Sequence, residues 1–420
     1  MRAPSGRLES LAAHAALFAF PGLWLLCAGL AQIHLLEIQQ PWSTAMLLVV
    51  AVVPVAYVLG GLVGREFVRA RVSASSSTRP GIPFSTRKRL RWVLLGCAVI
   101  GNLEQAHQFA AAHTIPLFSS QIDEARFGLP GGPTIILTDL LTVAAVVSLV
   151  LPRRLIARDA LPELAIAAFA LSGFALAAGR GAIIQAAMVV LVARWLYYGR
   201  LPLRALALVG VVVLVFSIGV FHLRTSQHAN DALSVELRED VYPGMPRPVQ
   251  LLVPADLALA TNMEALARIV DYFPAVEPYG RGAYGTYGFD LFLPSARNLQ
   301  LLSGRLSPPW VTSTVAGTFW ADGGLPLVVA GLALIGAVVV ATDFVARARR
   351  ELRFALLAGN FLFLALFGVY VNLWTQQVDW ILITPLLYVL GAVAEGFDPI
   401  PRALRASFRT PGVLLSLLRR

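Results

Sequence analysis

FALAAGRGAII, residues 174–184, sets a single arginine between two apolar runs. The runs on either side, about 160–178 and 182–198, each approach the roughly 20 apolar residues needed to cross a bilayer as a helix. Gly179 and Gly181 supply the freedom for a tight turn. The stretch therefore reads as a hairpin of two membrane helices with Arg180 at its tip. The same criterion, applied outward, marks about ten spans, at 11–33, 43–63, 92–112, 133–151, 160–178, 182–198, 203–221, 322–342, 354–373 and 379–395. The expected fold is an all-α polytopic integral membrane protein.

Composition agrees. Of 420 residues, 57% are hydrophobic and 14% charged, a balance foreign to soluble domains of this length. The net charge of +10 comes almost wholly from arginine, and Lys88 is the single lysine. Most of those arginines fall in alternate loops: "GREFVRARVSASSSTRPGIPFSTRKRLRW", "PRRLIAR", "ARWLYYGRLPLR", "ARARRELR" and the tail "PRALRASFRTPGVLLSLLRR". Basic loops stay on the cytoplasmic side. Both termini are thus expected there, and Arg180 on the opposite, outer face. The positive charge reports orientation and contact with the inner leaflet, which argues against nucleic acid as a partner. Cys27 and Cys97 both sit in apolar runs and suggest neither a disulfide framework nor a metal site. The first apolar stretch exceeds the ~7–15 residues of a signal-peptide core and reads as a retained helix.

The expected organisation is a membrane domain of seven helices over 1–221, containing a cytoplasmic linker at 64–91; an extracytoplasmic loop at 222–312; three further helices within 313–395; and a basic tail, 396–420. A structureless loop as long as 222–312 would be unusual, so it is expected to be folded or functional. Within it the pattern predicts a helix from Asp256 to Tyr272. No internal repeat is evident.

Ionisable residues at membrane depth are functional candidates. Arg180 either snorkels to headgroups or grips an anion with its guanidinium fork, helped by the amides of the following helix. "NLEQAHQ", Asn102 to Gln108, puts Glu104 and His107 on one helix face, as it does Glu104 and Gln108. These groups either line a watery cavity or hydrogen-bond between helices. Arg126 follows Asp123 and Glu124 in a polar island that also reads as a surface ion pair. In the long loop, "EPYGRGAYGTYGFDLFLPSARNLQ" spells GxGxxG at Gly280, Gly282 and Gly285. A dinucleotide site needs a preceding strand and a following helix, and neither is expected here. Tyr279, Tyr284 and Tyr287 suit a loop packing on a sugar or on the membrane surface, with Arg281, Arg297 and Arg305 as cations and Asp271, Glu277 and Asp290 as carboxylates. HExxH, a P-loop and paired CxxC are all missing from the chain, so no metal or other cofactor is expected and the chemistry is acid–base or cation-assisted.

Several of these segments together resemble the oligosaccharide repeat-unit polymerases, the Wzy-type enzymes of bacterial O-antigen and exopolysaccharide synthesis. "IPLFSSQIDEARF" (115–127) resembles the family's outer-loop pattern, "GRGAIIQ" its glycine-flanked arginine before a helix, "YFPAVEPYGRGAYG" a loop segment, and "STVAGTFWADGGLPLVVAGLALIG" its passage into the next helix. In the last of these Asp322–Gly323–Gly324 departs from the family's Asp-Phe-Gly. The resemblance implies a GT-C-like membrane glycosyltransferase acting on polyprenyl-diphosphate-linked oligosaccharide, with a flippase and a chain-length regulator as partners. It further implies Arg126, Arg180, Arg281 and Arg297 as diphosphate-binding residues and Tyr279, Tyr284 and Tyr287 as sugar-binding ones. Glu104, His107 and Asp290 are then candidate general bases, which the sequence does not rank. A ligase that moves finished glycan to another acceptor and a transporter of lipid-linked oligosaccharide are the alternatives.

Overall fold

The computed structural model describes residues 14–33, 39–72, 82–119, 125–126, 128–130, 133–155, 157–199, 261–287, 296–306, 312–374, 376 and 378–396. For Arg180 it describes the backbone alone. Local chemistry sets several of the helix ends. Helix α1 (Ala15–Ala31) is followed by α2 (Thr44–Arg69), which opens on Ser43; the Ser43 hydroxyl accepts the Met46 N–H at 3.2 Å. Helix α3 (Phe84–Ala112) stops where His113 turns left-handed at φ 52°. A 3₁₀ turn, Pro133–Asp139, leads into α4 (Leu140–Val150). The hairpin follows as α5 (Leu161–Leu176) and α6 (Arg180–Tyr198), and α6 ends at Gly199 with φ 67°.

Beyond the hairpin come α7 (Thr261–Tyr272) and α8 (Leu299–Leu306). Helix α9 (Val315–Arg349) opens on Thr314, whose hydroxyl accepts the Gly317 N–H at 3.2 Å, and it is broken at Gly323–Gly324. Helix α10 (Leu352–Phe367), a π turn (Asp379–Ile383) and α11 (Thr384–Ala394) complete the described chain. Among the described residues there is no strand. Four helices are long and apolar enough to cross a membrane: Thr44–Arg69, Arg158–Leu176, Gly181–Tyr198 and Val315–Arg349.

The expected elements recur with shifted ends. Helix α2 runs on to Arg69 and α3 begins at Phe84, so the expected linker 64–91 shortens to the residues between them. The reason is pairing. Arg87 and Arg91 of α3, which a hydropathy reading assigns to a loop, grip Glu163 of α5, a residue with no exposed surface. Arg87 also donates to Asp159 at 2.8 Å. Helix α9 begins at Val315 rather than 322 because Thr314 caps it well before its hydropathy rises. The expected span 203–221 and all of 222–260 lie outside the described residues. The helix expected at 256–272 is α7 from Thr261 onward.

Two devices lock the helices. The first is a glycine seam between α2 and α9. A Cβ at Gly60 would overlap the Ala333 carbonyl, one at Gly336 would overlap the Tyr57 carbonyl, and one at Gly64 would lie 2.5 Å from the Ala337 oxygen. Small residues admit such backbone contact, the usual basis of helix pairing in lipid. The second is Arg194 of α6, buried to 6% exposure, which donates to the carbonyls of Leu149, Pro152 and Arg153 at 2.8, 2.7 and 3.1 Å. Its guanidinium thus satisfies and electrostatically complements the carboxyl end of α4. Arg194→Ala strands those carbonyls, and we expect a loss of about 2–3 kcal/mol, read as a lowered melting midpoint of the purified protein. An unchanged midpoint would contradict that role.

Helix α7, read from sequence as part of an outer loop, is buried against α1, α2 and α9. Its Glu264 accepts the Trp42 indole N–H at 3.0 Å and the Gln40 amide at 3.2 Å. Its Asn262 accepts from the Thr312 amide and hydroxyl at 3.1 and 2.9 Å.

Candidate functional site

The start of α6 lies in a continuous neighbourhood. Gly181 faces Phe367 at the end of α10; a Cβ there would stand 3.6 Å from the ring. The chain after Phe367 meets the start of α9, where the Val315 amide donates to the Gly368 carbonyl at 2.8 Å and Asn372 donates to the Thr318 hydroxyl at 2.9 Å. A little further along α9, the Gly/Tyr-rich run docks on Asp322. The Gly280 and Arg281 amides donate to the Ala321 and Asp322 carbonyls at 2.8 and 2.9 Å. The Asp322 carboxylate accepts the Tyr284 amide at 2.9 Å and the Gly285 amide at 2.6 Å.

This docking explains the spelling GxGxxG. A Cβ at Gly280 would stand 2.9 Å, and one at Gly285 3.0 Å, from an Asp322 oxygen, so glycine lets the carboxylate reach the backbone. Gly282 takes φ 96°, which a side chain disfavours. Gly324, at φ 63°, is closely covered by the Tyr279 hydroxyl.

The sequence candidates separate into groups. Tyr279, Arg281, Tyr284, Tyr287 and Arg297 come together in this lobe. Arg281 is exposed, and Arg297 is exposed and paired with Glu277 at 2.6 Å. Tyr284 is a correction: its ring, 4% exposed, packs edge-on against Phe273 at 5.6 Å and has no open face for a sugar. Burial, with the charge of Glu277, pushes the Tyr284 hydroxyl above its ordinary pKa against the opposing pull of Arg297, so it stays protonated. Tyr279 and Tyr287 are half-buried. Glu104 and His107 lie apart on α3. Glu104 accepts from the Thr134 hydroxyl at 3.0 Å and from Gln108 at 3.3 Å, while the His107 side chain is 73% exposed and 4.0 Å from the Glu104 carboxylate. Asn102 donates to the Phe169 carbonyl of α5 at 3.0 Å. Asn102 and Glu104 thus each bond outside α3, to Phe169 of α5 and to Thr134 of the 3₁₀ turn. Arg126 is half-buried and partnered. Asp290 lies outside the described residues, as do Asp123 and Glu124.

A cluster that sequence reasoning passed over sits just inside the start of α6. Gln185 donates to the side-chain oxygen of Asn360 at 3.1 Å and to the Asp379 carboxylate at 3.3 Å. Asn360 donates to Thr384 at 3.2 Å. Asp379, 4% exposed, occupies the π turn and lies within electrostatic reach of Asp139. Such turns recur at functional sites. Three aromatic residues near the cluster in the chain, Phe361, Trp374 and Trp380, pack on one another with ring centroids 5.8–5.9 Å apart. Among the described residues neither the buried Trp374 indole nitrogen nor the buried Asn262 amide nitrogen has a hydrogen-bond partner. The signal was present in "LWTQQVDWILI" (373–383) as a lone aspartate between tryptophans, and again in Asp139 within "IILTDLL". Among the described residues no His/Cys/Asp/Glu group could hold a metal.

One buried carboxylate, a half-buried one, amide donors and nearby aromatic rings beside a helix amino terminus can take a proton from a hydroxyl, hold an anion and stack on a sugar ring. No family model, curated protein or solved structure matches this chain, so its site is read from its own geometry.

Proposed function

We propose that this chain is a membrane glycosyltransferase that polymerises polyprenyl-diphosphate-linked oligosaccharide repeat units on the outer face of the cytoplasmic membrane. In that reading the chain has ten spans and a GT-C-like arrangement, with the basic loops and both termini inside. The observation that carries it is the Asp379–Gln185–Asn360 cluster, placed just inside the start of the helix headed by Arg180.

The chemistry is a displacement at an anomeric carbon. An acceptor sugar hydroxyl attacks the carbon, the bond from that carbon to the diphosphate oxygen breaks, and the diphosphate leaves with the bonding pair. The hydroxyl proton passes to a carboxylate, for which Asp379 is the first choice and Asp139 its neighbour. Arg180 and the free amides at the start of α6 meet the charge that develops on the leaving group. Arg126, Arg281 and Arg297 remain further cations for the lipid diphosphate, and Tyr279 and Tyr287 remain sugar contacts.

In a strain that makes a surface polysaccharide, Arg180→Ala is expected to cut chain growth by about 10²–10³-fold, the usual cost of losing one such group. Single repeat units should then accumulate on the lipid carrier. Asp379→Asn, nearly isosteric, should slow transfer by about 10²–10⁴-fold. Normal chain length at normal protein level in both variants would overturn the proposal.

One specific pair of features favours a second reading. Carboxylates within membrane helices, such as Asp379 and the half-buried Asp139, mark proton relays, and a helix broken as α9 is at Gly323–Gly324 is a transporter device. If protein in liposomes moves labelled lipid-linked oligosaccharide across the bilayer and forms no glycosidic bond, transport replaces transfer. Lipid-linked polymer accumulating in a deletion strain would point instead to a ligase.

A further inference from the structure

At the end of the bundle away from Arg180, where α1 begins and α2 and α9 finish, a cleft of about 430 Å³ opens between these helices. Its walls are His14, Arg65, Arg69, Asp343, Arg347 and an apolar floor that includes Val340 and Phe344. Arg347 is spoken for: it forks onto Asp343 at 2.7 and 2.9 Å and lies over the Trp195 ring at 4.4 Å. Among the described residues Arg65 and Arg69 pair with Glu66 alone, at 3.0 and 3.6 Å, in an open surface arrangement with 34% and 67% of their side chains exposed. Surface pairs of that kind are worth little and exchange readily. With Glu66 counted, the cleft and its rim carry three arginines against two carboxylates, and the surplus positive charge lies on Arg65 and Arg69, which share Glu66.

We infer that this cleft seats the phosphate headgroup of an anionic phospholipid. Arg65 and Arg69 grip the phosphate oxygens, and the upper acyl chain lies on Val340 and Phe344. The combination of guanidinium forks with an apolar floor suits a lipid rather than a free anion. Basic pockets between membrane helices at the basic-loop end are where such headgroups bind. The glycine seam of α2 and α9 ends in the same cleft, so a bound lipid would bridge the two helices that the seam joins.

The test uses the full chain in maltoside micelles, with melting followed as lipid is added. Phosphatidylglycerol is expected to raise the midpoint saturably, at concentrations where phosphatidylcholine and sodium phosphate do not. The R65Q/R69Q double variant should need about tenfold more phosphatidylglycerol for the same shift. R89Q, an exposed arginine of α3 outside the cleft, should behave as the unaltered protein does. Equal shifts from phosphatidylcholine, from phosphate alone, or in R65Q/R69Q would overturn the inference. So would a loss in R89Q matching that of the double variant, which would mean general surface attraction. Should the double variant not fold, lipid retained by the unaltered protein in native mass spectrometry decides. Enrichment in phosphatidylglycerol supports the site, and bulk composition overturns it.

Discussion

Gly60→Leu is expected to leave almost no folded protein. A Cβ at Gly60 already overlaps the Ala333 carbonyl, and the partner there is backbone, which has no rotamer to yield. Either α2 moves off α9, opening the Gly64 and Gly336 contacts as well, or α2 unwinds locally. Overpacking against side chains costs about 1–3 kcal/mol; against rigid backbone along the most extensive helix contact of the fold, the loss should reach about 4 kcal/mol or more. Size-exclusion chromatography and thermal melting in micelles would read it. Gly29→Leu is the matched control, since nothing lies within 4 Å of a Cβ there. If both variants melt alike, the seam is not what holds α2 to α9.

Asp322→Ala should release the 279–287 lobe from α9 while sparing the rest of the bundle. The carboxylate, 3% exposed, is the acceptor for the Tyr284 and Gly285 amides. Removing it leaves two N–H groups without that acceptor, at about 1–3 kcal/mol each when buried, or about 2–6 kcal/mol for the lobe. Asp322→Asn keeps one acceptor oxygen and adds a competing donor, so it should fall between. Amide hydrogen exchange is the measurement. The Tyr284 and Gly285 amides should lose protection in Asp322→Ala, and those of α10 should keep theirs. Unaltered exchange at Tyr284 would mean that the lobe is held by its other contacts, such as the Trp320 indole bond to the Phe273 carbonyl at 3.2 Å.

Sequence reading recovers the apolar helices best, because a long greasy run has few alternatives to a buried or membrane-spanning helix. The hairpin around Arg180 is the clearest case, its reading and structure agreeing to within a few residues at each end. Helix ends were misjudged where charge is paired across a distance. Arg87 and Arg91 resemble loop residues until Glu163 is brought beside them, and pairing between remote segments leaves no local trace. The start of α9 was missed for a related reason, since its first turns are polar and aromatic and pack on the chain after Phe367.

The candidate site was legible only in part. A glycine-flanked arginine announces itself, and so does a tyrosine-rich loop. What the loop is for does not, because its partner Asp322 comes 38 residues after Tyr284, within a helix whose composition suggests only a membrane segment. Asp379 was visible as a charge among tryptophans, but its meaning depends on Gln185 and Asn360 arriving from two other helices. Tyr284, which reads as a recognition residue, is spent on packing.

The glycine seam also sets an order of assembly. Helix α2 emerges from the ribosome early and α9 late, so the Gly60–Gly64 face must wait in the bilayer through most of synthesis. Helix α1 is its only early companion among the described elements, through the Tyr57 hydroxyl on the Ala16 carbonyl at 3.0 Å and Leu17 against Gly61. Biogenesis of this chain is thus a matter of keeping one smooth helix face unclaimed until the matching face is made.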